Sequence, residues 1–192
     1  MASVSLSRWQ TAANASLDEL VQAHQALVTR GVGPGQLNQA FAVMLSSHFQ
    51  GFCRDLHTEA VDCLCDHLTD PWVVSIFRER FIQGRKLDIG NPTPANLGND
   101  FSRFGMSVAE AMEVRNPDWA VHKRDLELFF RWRNAIAHAD FASTSELSFG
   151  NGRILLEFGD VLRWWGRCGD LALGLDRAVG DHLSLLVGRP SW

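Results

Sequence analysis

Residues 121–140 read VHKRDLELFFRWRNAIAHAD, and the spacing within this stretch decides the fold class. Val121, Leu128, Phe129, Trp132, Ala135, Ile136 and Ala139 recur on one side at helical intervals. Glu127, Arg131, Asn134 and His138 follow one another at steps of 4, 3 and 4 on the other side. The pattern predicts a helix over about residues 119–139, opened by Asn116-Pro117-Asp118, with its apolar stripe docked into a core. One exposed face then presents a cation, an amide and an imidazole in line. Asn134 and His138 stand one turn apart, so the amide is expected to bond one imidazole nitrogen and leave the other free to move a proton.

Outward from this segment the pattern stays helical. Leu17, Leu20, Val21, His24, Leu27 and Val28 mark a helix that the glycines and proline of residues 31–35 terminate. Residues 36–68 read as one long amphipathic helix with Gly51 as the expected kink. Asp70-Pro71 is an N-cap followed by proline at the first helical position. Residues 85–94 read as an ordered loop, after which Thr93 caps a helix from Pro94 to Gly105 and a short helix follows over residues 107–114. Glu146–Phe149 and Arg153–Phe158 flank Gly150-Asn151-Gly152 as a small β-hairpin. Residues 160–186 close the chain as a helix despite several glycines. The expected architecture is an all-α bundle forming one domain over residues 1–192, with residues 1–35 as an N-terminal helical extension and one hairpin near residues 146–158.

The chain has 192 residues, 46% hydrophobic and 21% charged, enough for one domain with a substantial core. Its formal charge of −4 excludes a broad cationic sheath for coating nucleic acid. The deficit is confined to the N-terminal part, because residues 1–70 hold 3 basic and 7 acidic side chains while residues 71–192 hold 15 of each. A narrow phosphate-binding cleft in the second part remains compatible with that balance. No apolar run approaches the roughly 20 residues of a membrane span, and the start lacks the pattern of a signal peptide, so a cytoplasmic protein with reduced cysteines is expected. His57, Cys63, Cys65 and His67 invite a zinc reading, but residues two apart on a helix diverge by about 200° and do not close one tetrahedral site. No metal is assigned, and the four are expected to be ordinary half-buried thiols and surface imidazoles.

Arg133-Asn134-Ala135-Ile136-Ala137-His138 resembles the Arg-x4-His motif of the HEPN superfamily, small all-helical domains that include many bacterial endoribonuclease toxins and defence proteins. The long helix around SSHFQGFCRDL, the segment GNPTPANLGNDFSRFGM and the continuation HADF resemble the branch named for association with L-PSP-type ribonucleases. The likeness covers most of the chain from about residue 37. It implies a HEPN-like bundle, metal-independent RNA cleavage without a cofactor, and a homodimer in which two motifs face each other across a cleft. The RNA 2′-hydroxyl would attack its own phosphodiester to give a 2′,3′-cyclic phosphate and a 5′-hydroxyl. Carried over residue by residue, Arg133 would neutralise the phosphate. His138 would act as general base or acid, and Asn134 would orient it. Where family members often carry an acidic residue beside the phenylalanine of the long helix, this chain has Gln50 after Phe49.

Residues five apart on a helix are separated by about 140°, so Arg133 does not share the face of His138. It must either reach around its own helix or meet the histidine of a partner copy. Arg131 is a candidate second phosphate contact, and Lys123 and Arg124 extend a short basic track. Three functions stay open on this reading: an endoribonuclease acting as a toxin or phage-defence effector, beside an antitoxin or nucleotidyltransferase partner; a non-catalytic HEPN module that binds RNA, nucleotides or protein; and a structural helical dimerisation domain.

Overall fold

A computed structural model of the chain describes residues 1–141, 147–149 and 155–192. The protein is an all-α bundle, and no strand is present among the described residues. The helices are α1 (Val4–Arg8), α2 (Asn14–Thr29), α3 (Gly35–Cys65), α4 (Pro71–Ile82), α5 (Lys86–Ile89), α6 (Pro94–Phe101), α7 (Val108–Arg115), α8 (Trp119–His138) and α9 (Phe158–Val187). A π-helical turn, Trp9–Ala13, joins α1 to α2, and a 3-10 turn, Ser102–Phe104, extends α6. No helix among the described residues is long and apolar enough to cross a membrane.

Local signals set most boundaries. Asp70 accepts hydrogen bonds from the Trp72 and Val73 amides and Pro71 follows it, which starts α4 where the sequence places it. Thr93 caps α6 through the Asn96 amide, and Ser107 caps α7 through the Glu110 amide. The long helix α3 is continuous through Gly51. Its buried side chains include Phe41, Leu45, Phe49, Phe52, Leu56 and Ala60, and α9, α1, α8, α2 and α4 all pack on it. In α9, Val161, Trp164, Cys168, Leu171, Leu175, Val179 and Leu183 form a buried stripe. Gly174 of that helix has a packing reason: a Cβ there would lie 2.7 Å from Met112 Cε of α7.

The N-terminal segment belongs to the same core. Leu6, Trp9 and Leu17 are buried, and Glu59 of α3 accepts from the Val4 and Ser5 amides at 2.8 and 3.0 Å. Two other expectations need correction. The segment expected as loop over residues 85–94 contains the one-turn helix α5, because the buried Asp100 carboxylate accepts from the Lys86 and Leu87 amides at 3.0 and 2.9 Å and turns the backbone there. The expected hairpin has residues 146 and 150–154 outside the described residues, and its described flanks, 147–149 and 155–157, are not in strands.

His57 is fully buried, not a surface imidazole. Its Nε2 donates to the Asp100 carbonyl at 3.2 Å, and its Nδ1 faces Arg85 at 3.4 Å. Burial, reinforced by the Arg85 charge, lowers its pKa from 6.5 to about 4. The unfolded chain therefore binds a proton that the folded chain refuses. The resulting stability is present above about pH 6.5 and lost as pH falls toward 4, by roughly 3 kcal/mol in all. Burial of His24, stacked on Phe158, and of His122 acts in the same direction. Urea unfolding between pH 7.5 and 4.5 should show this loss, and His57→Gln should flatten it. The Asp70 cap gives an independent check, since Asp70→Ala should cost about 1 kcal/mol in the same assay at pH 7.5.

Candidate functional site

The inward face of α8 is made by Trp119, His122, Leu126, Phe129, Phe130, Trp132 and Ala135. It is rotated from the stripe the sequence pattern predicts: Val121 is 45% exposed, Ala139 is exposed, and Leu128 and Ile136 are half-buried. His122 takes the inward place because its ring nitrogens have polar neighbours, Asn116 Nδ2 at 2.8 Å and Arg167. Trp132 is buried with its indole donating to the Leu147 carbonyl at 3.1 Å. Lys123, Arg124, Arg131, Asn134 and His138 all lie exposed on the outer face, as expected from their spacing.

Arg133 is half-buried on the flank of the helix. Its Nη1 donates to Asn134 Oδ1 at 3.3 Å. The same oxygen accepts from Asn91 Nδ2 at 2.8 Å. Asn134 thus holds Arg133 and is itself held by Asn91. The expected bond from Asn134 to His138 is not formed: no hydrogen bond joins the two among the described residues, so the amide positions the guanidinium rather than the imidazole. His138 stands exposed in the last residue of α8. Two polar atoms of the cluster, Arg133 Nε and Asn91 Oδ1, are buried without a hydrogen-bond partner among the described residues.

Asn91 is a residue that periodicity could not find, because it lies outside any amphipathic run. Its backbone carbonyl accepts from Asn96 Nδ2 at 2.7 Å and from the Thr93 amide at 2.8 Å. Upstream, Gln50 of α3 donates to the Leu87 carbonyl at 2.8 Å. Gln50 therefore anchors the α5 segment that leads to Asn91. The visible sequence signal was the density of Asn, Gly and Pro in residues 90–99, which marks a turn whose backbone needs side-chain partners.

The basic track is divided. Lys123 lines a groove of about 990 Å³ between α6, α7 and the first turns of α8, where Glu113 and Glu127 offset its charge. Arg124 lies beside it on the helix with Nε on its own Ala120 carbonyl at 3.3 Å, and Arg131 is the exposed cation nearest His138 in the chain. Among the residues considered for zinc, His57 has both ring nitrogens against protein groups, while Cys63 and Cys65 are free thiols whose pKa is raised by burial. No group of three or more potential metal ligands occurs among the described residues.

Compared with protein-family models, curated proteins and solved structures, the chain matches none. The likeness of RNAIAH to the HEPN motif therefore stands on the residues themselves.

Ala139, directly after His138, adopts a left-handed conformation at φ 50°. Its amide bonds the Ile136 carbonyl at 3.2 Å and the Asp140 amide bonds the Ala135 carbonyl at 2.9 Å, the Schellman pattern that usually places glycine at this position. The Cβ of Ala139 carries a strain that glycine avoids. Ala139→Gly should raise unfolding stability by about 1 kcal/mol, measured by urea denaturation, without displacing His138.

Proposed function

We propose that this protein is a metal-independent endoribonuclease of the HEPN type. The observation that carries the reading is the presence of a guanidinium, a carboxamide and an exposed imidazole within the last turns of α8, with the guanidinium bonded to the carboxamide. Arg133 contacts the scissile phosphate and offsets the charge that develops on it, a task suited to its planar fork of donors. His138, exposed and not hydrogen-bonded within the described chain, moves the proton. As base it takes the proton of the 2′-hydroxyl, whose oxygen bonds phosphorus while the P–O5′ bond breaks. As acid it supplies the proton that the departing 5′ oxygen needs. One imidazole does not serve both ends at once. A homodimer with facing motifs supplies a second histidine, consistent with a composite site. The nucleophile is already tethered beside phosphorus, so no metal or cofactor is required to bring it there.

Single-stranded or loop RNA is the substrate on this reading, and a toxin or defence role in the cytoplasm, restrained by an antitoxin or nucleotidyltransferase partner, is the setting that the resemblance favours. Incubation with labelled RNA in EDTA should give products ending in 2′,3′-cyclic phosphate. His138→Ala should abolish cleavage, by at least about 100-fold. Arg133→Ala should weaken it while leaving the helical content unchanged. RNA binding without cleavage by the wild type would instead indicate the non-catalytic module. Neither binding nor cleavage, with a stable dimer, would indicate the structural one.

A further inference from the structure

Asn91 lies 43 residues from Asn134 in sequence, yet the two carboxamides meet at 2.8 Å beside Arg133. We propose that Asn91 is a positioning residue that, through Asn134, sets where the Arg133 guanidinium sits and thereby governs its contact with the phosphodiester of single-stranded RNA. The inference rests on the endoribonuclease reading of the same site.

The geometry of one oxygen carries the argument. Asn134 Oδ1 has two lone pairs, and the two donors that reach it are Asn91 Nδ2 at 2.8 Å and Arg133 Nη1 at 3.3 Å. The shorter bond orients the amide, and the longer one then places the guanidinium. Asn134 is exposed, so without Asn91 its side chain would turn freely in water and offer Arg133 only a mobile partner. Asn91 does not turn freely. It is 9% exposed, and its carbonyl is bonded by both Asn96 Nδ2 and the Thr93 amide. The Gly90 amide bonds the Lys86 carbonyl at 2.8 Å, and a Cβ on Gly90 would lie 3.2 Å from the Asn96 Nδ2 that holds Asn91. Glycine there leaves room for the brace.

The unpartnered atoms point the same way. Asn91 Oδ1 and Arg133 Nε are both buried without a hydrogen-bond partner among the described residues, so two unmet polar groups lie beside the Asn134 carboxamide. An apolar residue of similar size at position 91 would remove one unpaired atom, so it should fold, while losing the donor that orients Asn134.

The test is a double-mutant cycle on RNA affinity. It is performed in a His138→Ala parent, so that a labelled single-stranded RNA oligonucleotide stays intact. Asn91→Leu should weaken binding about threefold or more when Arg133 is present and leave it unchanged when Arg133 is alanine, because the two act as one unit. The slope of log affinity against log salt should also fall by about 0.7, the loss of one phosphate contact on a single strand, in both Asn91→Leu and Arg133→Ala. Asn134→Ala, an exposed substitution that does not threaten folding, should reproduce the effect of Asn91→Leu and serves in its place if that variant does not fold. Equal losses in the two Arg133 backgrounds, or no loss in either, would overturn the proposal while leaving the RNA reading intact. A parent that binds no RNA, with a wild type that cleaves none, would overturn the RNA reading itself.

Discussion

A helix of 31 residues, about 46 Å long, cannot stand in water when its buried apolar side chains, from Phe41 round to Val61, cover an arc of about 200°. That is the condition of α3, on which Phe41, Leu45, Phe49, Phe52, Leu56 and Ala60 must all be enclosed. Each such side chain contributes on the order of 1.5–3 kcal/mol when fully buried, the alanine less. No single neighbour is wide enough to cover that arc, so α1, α2, α4, α8 and α9 share it. The placement of α8 follows. It buries Phe129 against Trp164 of α9, and the remaining face, carrying Arg131, Asn134 and His138, is left to solvent.

Polar groups enclosed along with α3 impose a second condition. Asp100 is fully buried and must find donors; the Lys86 and Leu87 amides and Asn99 Nδ2 supply them. Arg85, next in the chain, reaches Thr58 and the Arg54 carbonyl on α3 and pairs with Asp88. His57, neutral between Asp100 and Arg85, completes the contact with α3. The backbone from residue 85 to residue 91 is therefore tied to the central helix at one end and presents Asn91 to α8 at the other. A core network of this kind explains how a short turn far from α8 in sequence comes to brace a residue on its outer face.

Helix ends were legible because they are local: Asp70-Pro71, Thr93-Pro94 and Ser107 each satisfy amides within three residues. The line of Lys123, Arg124, Arg131, Asn134 and His138 was legible because helical spacing alone puts those residues on one face. What spacing did not show depends on partners distant in sequence. Hydropathy ranks Val121 above His122, but His122 has Asn116 and Arg167 to receive it, so the helix turns the histidine inward. The turn α5 depends on a carboxylate 13 to 14 residues further on, and Asn91 acquires its place from bonds that only the folded chain forms.

The separation of Arg133 from His138 shows how those levels combine. Five residues along a helix leave about 140° between them, and a rigid pair so placed would face different surroundings. The sequence left two solutions open, an arginine that reaches around its own helix or one that serves a partner's histidine. In the structure Arg133 Nη1 donates to Oδ1 of Asn134, whose position is about 40° from that of His138. Asparagine directly after the arginine supplies the oxygen that accepts this bond. The guanidinium of Arg131 stands exposed on the outer face of α8 in any case. Under the proposed reaction one chain supplies one imidazole, and the need for a second proton-transfer group, rather than the arginine, is the physical reason to propose two motifs across one cleft.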